Sequence, residues 1–147
     1  MNRPRAIVVG GGPVGLAFAC ALQGFEVRVL ESAPRRLASA TDAFDSRVFA
    51  LSPGTRDLLV ALGAWQRIPK ERVAAVKRME VRGDNGRSRL DFAAPAPGAL
   101  AWIVEAGRLA HALEECALAA SVGVDHGARP RALRAAAGAV EIGRAHV

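Results

Sequence analysis

At 147 residues, 51% of them hydrophobic, the chain is long enough to bury a real core, and no apolar run approaches the ~20 residues of a membrane-spanning helix. The net charge is +6, yet of 20 basic residues only Lys70 and Lys77 are lysines, and the arginines are scattered without interleaved aromatics. That pattern excludes a nucleic-acid interface and leaves most arginines as solvated surface, with a dinucleotide or an acidic membrane surface as the other beneficiaries of the charge. The N-terminal Met-Asn-Arg-Pro-Arg leads straight into an apolar run with no signal-peptide core, so the expected location is the cytoplasm.

The first predicted element is a strand at Ala6-Ile7-Val8-Val9, followed by Gly10-Gly11-Gly12-Pro13-Val14-Gly15. A helix is expected from Pro13 to Gln23, stopped by Gly24, and then a strand from Glu26 to Leu30 closed by Glu31. Strand, glycine-rich turn, helix, strand and acid make the first unit of a dinucleotide-binding fold. Gly10 lets the chain turn off the strand, Gly12 leaves room for a pyrophosphate, and Gly15 lets the helix approach the sheet. Pro13 suits the first helical turn, whose free N–H groups and partial positive charge favour phosphate. Glu31 stands about 20 residues beyond the glycines, where a carboxylate accepts hydrogen bonds from an adenosine ribose. The candidate cofactor-binding residues are therefore Gly10, Gly11, Gly12, Pro13, Val14, Gly15 and Glu31. A P-loop is excluded, because no Gly-Lys-Ser/Thr ending follows.

Residues 32–50 have no clean period and read as a long functional loop. Ser52 and Pro53 then cap and open a helix whose apolar face is Leu58, Leu59 and Leu62, ended by Gly63. Trp65 is expected as a packed core aromatic and Ile68 as an anchor. From Ala75 to Phe92 the pattern alternates imperfectly around Asp84-Asn85-Gly86, a hairpin turn signal foreign to a plain nucleotide-binding sheet. Leu100–Val104 reads as a strand and 106–120 as a helix with Leu109, Leu113, Cys116 and Ala117 on one side. Val122-Gly123-Val124 reads as a third parallel strand, and 131–142 as a further hairpin near Gly138. Cys20 and Cys116 have no CxxC neighbour and read as small apolar residues of a reducing compartment. His111, His126 and His146 have neither metal-ligand nor triad spacing, so no metal site and no side-chain nucleophile is expected.

Four stretches together resemble a known family. They are Ile7–Leu22 with Glu31; Asp45-Ser46-Arg47-Val48-Phe49-Ala50-Leu51-Ser52 with Leu62-Gly63-Ala64-Trp65; the hairpin; and Trp102-Ile103-Val104-Glu105 before the Leu109/Leu113 helix. The chain is similar to the N-terminal part of the FAD-dependent aromatic hydroxylases, the class A monooxygenases related to p-hydroxybenzoate hydroxylase. Within them it most resembles the ubiquinone-biosynthesis hydroxylases of the UbiH/Coq6 type.

The resemblance implies an α/β, Rossmann-like FAD-binding fold with an inserted β-hairpin region. It implies that Arg47 approaches the flavin or pyrophosphate, and that a basic residue at the start of the Leu109 helix, here Arg108, also touches FAD. The implied activity is hydroxylation of a small aromatic molecule, a ubiquinone precursor, with NAD(P)H and O2, at the cytoplasmic side or peripherally on the inner membrane. The flavin carries the hard chemistry, so the catalytic side chains and the oligomeric state stay open. Other FAD oxidoreductases (a dehydrogenase, reductase or halogenase) and a non-catalytic dinucleotide-binding module remain alternatives. Family members are longer and carry later Asp-Gly and Gly-Asp motifs. The expectation is thus an incomplete domain over 1–140, with its substrate-facing β region beginning at about 70–104. Residues 141–147 are expected to be a non-native tail, because Ile-Gly-Arg-Ala-His-Val resembles a translated sequencing adapter.

Overall fold

The computed structural model describes residues 3–35, 43–136 and 138–144. Among these described residues, ten strands and three helices follow in chain order: β1 (Arg5–Val9), α1 (Pro13–Ala21), β2 (Glu26–Glu31), β3 (Val48–Leu51), α2 (Pro53–Ala61), β4 (Val73–Val76), β5 (Arg78–Arg82), β6 (Arg89–Ala93), β7 (Ala101–Glu105), α3 (Ala106–Ala119), β8 (Gly123–His126), β9 (Pro130–Ala136) and β10 (Ala139–Arg144). Short 3-10 turns cover Trp65–Arg67 and Lys70–Arg72. The chain divides into two units, Met1–Ala40 with Leu113–Val147, and Thr41–Ala112.

The first unit is built on a parallel sheet in the order β1-β2-β8, which places the expected third strand beside β2. Central β2 buries Val27, Val29 and Leu30, while Glu26 and Arg28, which alternate with the valines, are exposed. Leu16 and Ala19 of α1 and Leu113, Cys116 and Ala117 of α3 supply the remaining core. The helix α1 ends two residues before the predicted Gln23, with the Leu22 N–H bonded to Phe18 O and Leu22 already extended. The helix α3 ends in a Schellman closure: Ser121 N–H reaches Leu118 O and Val122 N–H reaches Ala117 O. Ser121 takes the left-handed position, at φ 58°, usually given to glycine. The predicted second hairpin forms as β9 and β10, and Glu141–Arg144 pair with β9.

The second unit centres on the antiparallel sheet β3-β7-β4. Its strand β3 corrects the expectation of an unbroken loop over 32–50. Four residues are too short to show a period, and their strand conformation comes from pairing with β7, Val48 opposite Glu105 and Leu51 opposite Trp102. Residues 36–42 of that loop lie outside the described residues.

The helix α2 starts as the sequence predicts: the Ser52 hydroxyl accepts from Thr55 N–H, with Pro53 in the first turn. It ends at Gly63, whose φ of 76° allows the Schellman pair Gly63 N–H to Val60 O and Ala64 N–H to Leu59 O. Its predicted apolar face is narrower than Leu58, Leu59 and Leu62. Leu59 is 3% exposed but Leu58 is 48% exposed, because a nine-residue helix against a three-stranded sheet covers only one ridge. Trp65 is half-buried rather than a core aromatic. It meets Trp102 edge to face at 6.1 Å, and the Arg56 guanidinium lies over both rings at 5.4 and 5.0 Å.

The predicted hairpin is a separate sheet of β5 and β6, closed at Asp84-Asn85-Gly86. Asn85 Oδ1 accepts from the N–H groups of Arg87 and Ser88. The alternation predicted to run on from Ala75 breaks at Lys77, which separates β4 from β5. On one face of the hairpin Met79 pairs with Phe92 and Val81 with Leu90; on the other Arg78, Glu80, Arg82, Arg89 and Asp91 form ion pairs. Among the described residues, no helix is long and apolar enough to cross a membrane.

Leu59→Ala is expected to cost about 2–5 kcal/mol and Leu58→Ala within about 0.5 kcal/mol. Urea denaturation of the two variants checks this, and equal losses would restore the wider apolar face.

Candidate cofactor site

The glycine loop in the first unit is shaped by three separate constraints. Gly10 turns off β1 with φ 104°, a backbone region closed to most side chains, and its N–H bonds Leu30 O at 2.8 Å. A Cβ on Gly15 would collide with the Gly10 carbonyl oxygen, so α1 lies too close to the loop for any larger residue. A Cβ on Gly12 would meet nothing within 4 Å. Gly12 is also the N-cap of α1, extended, with no side chain capping it, and Pro13 follows as the first helical residue. The mouth of α1 is therefore open backbone, with Val14 exposed beside it.

Glu31 does more than the sequence reading assigned to it. Its Oε2 accepts from Gly11 N–H at 2.6 Å, and its Oε1 accepts from Ala33 N–H at 2.7 Å and from the Ser32 hydroxyl at 3.3 Å. One carboxylate thus ties the glycine loop to the end of β2. Gly11 is held there too, since a Cβ would fall 2.9 Å from Glu31 Cβ. The Ala33 N–H first, and then the Gly11 N–H, hold the Glu31 carboxyl below its usual pKa. The adjacent His126, paired with Glu31 across β2 and β8, adds in the same direction. A carboxylate offers about four acceptor positions, so Glu31 still has capacity for a ribose hydroxyl.

The second unit carries Arg47 and Arg108. Arg47, with its side chain 62% exposed, forks onto Asp45: Nε to Oδ1 at 3.2 Å and Nη2 to Oδ2 at 3.1 Å. The same carboxylate accepts from Arg47 N–H at 3.0 Å and Gly107 N–H at 3.3 Å. Arg47, first by its side chain, holds the Asp45 carboxyl below its usual range. Behind this lies a pair that sequence reading missed. Glu105 accepts both arms of Arg72, at 2.6 and 2.9 Å, and the two side chains are only 7% and 10% exposed. Glu105 Oε2 also accepts from Asp45 N–H at 2.8 Å, and Arg72, first among causes, holds the Glu105 carboxyl low. Arg108, half-buried at the start of α3, contributes its charge to that shift. Nothing in the local pattern distinguishes Arg72 from the other scattered arginines. The one signal was Glu105, an acid ending an otherwise apolar strand.

Residues 4–142 match the FAD binding domain family. The chain belongs to that family. It is 34% identical over 115 residues to the ubiquinone biosynthesis monooxygenase COQ6, mitochondrial, of Homo sapiens, covering 73% of this chain and 24% of that protein. It is 33% identical over 93 residues to the ubiquinone hydroxylase UbiM of Neisseria meningitidis, covering 62% of this chain and 20% of that protein. Among solved structures it is similar to the tetrameric form of 2-methyl-3-hydroxypyridine-5-carboxylic acid oxygenase. That likeness has a TM-score of 0.65 and 26% identity over 88% of this chain and 33% of the other. The chain spans about a quarter of the length of the curated relatives it matches.

The residues of the first unit fit the adenosine and pyrophosphate half of FAD. The open space at Gly12, the uncapped start of α1 and the remaining acceptor capacity of Glu31 are what that half needs. Among the described residues, no group of three or more His, Cys, Asp or Glu side chains could hold a metal ion.

Gly15→Ala is expected to destabilise the chain by more than about 2 kcal/mol, while Gly12→Ala stays within about 0.5 kcal/mol; urea midpoints decide. The three lowered carboxylates set the sign of the acid response. Each contributes stability fully above its ordinary pKa, about 3.9 for Asp and 4.3 for Glu, and loses it as pH falls through the lower folded value. Unfolding midpoints between pH 7 and 2 should therefore fall only on the acid side of that range, and a gain in stability there would contradict the assignment.

Proposed function

We propose that this chain is the dinucleotide-holding part of an FAD-dependent monooxygenase that hydroxylates a small aromatic molecule of the ubiquinone-precursor class. The carrying observation is an FAD-family chain whose open Gly12 and Glu31-tied loop stand alongside its one-third identity to two ubiquinone hydroxylases. FAD, when bound, supplies the redox chemistry by which NAD(P)H and O2 convert an aromatic C–H to C–OH, with water as the second product.

The chain's own residues bind and orient. Gly12 and the α1 N-terminus receive the pyrophosphate, with Gly10, Gly11, Pro13, Val14 and Gly15 shaping the turn, and Glu31 takes a ribose hydroxyl. Arg47 and Arg108 serve as further cofactor contacts; the exposed, carboxylate-oriented fork of Arg47 supports this reading. The region from about 70 to 104 begins the substrate-facing part, which the apolar Met79/Val81/Leu90/Phe92 face supports. Residues 141–147 stay a proposed addition to the domain. The protein works in the cytoplasm, peripheral to the membrane that holds such quinones, and a net charge of +6 favours anionic headgroups.

The whole protein carrying this domain should copurify with a yellow flavin and oxidise NAD(P)H with O2 uptake when given a phenolic substrate. A colourless protein that binds only NAD overturns the proposal. Within the domain, Gly12→Ala should weaken FAD binding at least tenfold while leaving the urea midpoint in place.

A further inference from the structure

The Arg72–Glu105 pair is the most deeply placed charged contact described in the second unit, and it makes further polar bonds to the segment Ala43–Asp45. Arg72 Nη2 donates to Ala43 O at 3.1 Å, and the guanidinium lies 3.9 Å over the Phe44 ring. Glu105 Oε2 accepts from Asp45 N–H at 2.8 Å. Three consecutive residues, Ala43, Phe44 and Asp45, are thus fastened to the pair by a carbonyl, a ring face and an amide. The fastened Asp45 then fixes Arg47 through three bonds, to its N–H, Nε and Nη2. From the other side, Ala106 N–H donates to Arg47 O at 2.8 Å.

We infer that Arg72 and Glu105 are positioning residues for Arg47: the buried pair anchors the Ala43–Asp45 backbone so that Asp45 presents the Arg47 guanidinium in a single orientation to the cofactor. The inference rests on the reading of Arg47 as a cofactor contact. Three features separate it from a purely structural ion pair. A buried pair is commonly replaceable by apolar side chains without loss of stability, so stability alone is a poor account of its presence. The acceptor for the Asp45 amide is Glu105 itself, so an apolar substitute leaves that amide without its partner. Arg72 forks onto Glu105 and still reaches Ala43 O, a geometry that lysine, with a single nitrogen, cannot reproduce. The low pKa of Glu105 agrees, because the acid stays ionised and accepting throughout the neutral range.

The test uses the 147-residue chain, with amide hydrogen exchange followed by NMR and FAD and ADP titrations on the same samples. The double variant Arg72→Met/Glu105→Leu removes the pair without stranding a charge. Its urea midpoint should fall only modestly, from the unpartnered Asp45 amide, yet exchange at the amides of Asp45, Arg47 and Gly107 should quicken at least tenfold relative to the rest of the unit. Glu105→Gln keeps an acceptor for Asp45 and should recover part of that protection. FAD affinity should fall about tenfold in the double variant with ADP affinity unchanged, and Arg47→Ala added to it should cause little further loss. Unchanged exchange at Asp45 to Arg47, or exchange quickened equally across the unit, overturns the positioning role. If Arg47→Ala in the otherwise unaltered chain leaves FAD affinity unchanged, the cofactor reading of Arg47 fails, while exchange still decides whether the pair orders the segment. Should the double variant not fold, Glu105→Gln and Arg72→Lys carry the same exchange comparison.

Discussion

The close approach of α1 to the end of β1, where a Cβ on Gly15 would run into the Gly10 carbonyl, is the constraint on which the first unit depends. With the helix drawn in, its N-terminus opens directly beyond the strand, and Gly12 has empty space in front of it. The turn must then be held from outside, since its own residues are glycines with no side chains to fix them. Glu31 does that by accepting the Gly11 amide from the end of the neighbouring strand. The acid proposed for a ribose is therefore also the latch of the loop.

The second unit solves a similar problem with charge. The segment from Ala43 to Arg47 has no helix or strand bonds before Val48 to hold it. Described bonds instead tie Ala43 O to Arg72, the Asp45 N–H to Glu105, the Arg47 N–H to the Asp45 carboxylate and Arg47 O to the Ala106 N–H. In each unit an acidic side chain at a strand end, Glu31 on β2 or Glu105 on β7, accepts an amide from a loop that lacks regular structure. Placing the acceptor at the strand end puts it where backbone pairing stops and unpaired N–H groups begin.

Much of this was legible in the chain. The strand–glycine–helix–strand–acid order, the Ser52 cap, the Gly63 stop, the Asp84-Asn85-Gly86 turn and the long α3 are all local: each depends on residues within a few positions, where propensity and sterics act directly. The family resemblance drew on the same stretches, and it agrees with the FAD-binding-domain match over 4–142. What was misjudged depends on distant partners. Val48–Leu51 is a strand because β7 lies beside it; Leu58 and Trp65 have the right chemistry for a core, but α2 covers too little sheet to bury them.

The sequence by itself determined where the chain turns, where helices begin and end, and which class of cofactor its first turn accommodates. These are short-range consequences of glycine, proline and capping residues. Only the tertiary structure decided the partners of the charges: that Glu31 closes on Gly11, that Asp45 holds Arg47, and that Arg72 finds Glu105 across 33 residues of chain. Eighteen arginines and 14 acids look alike in a linear string, where equivalent pairings abound. What distinguishes one pair is burial, because a charge removed from water must meet its counterpart, and burial exists only once the sheet has formed.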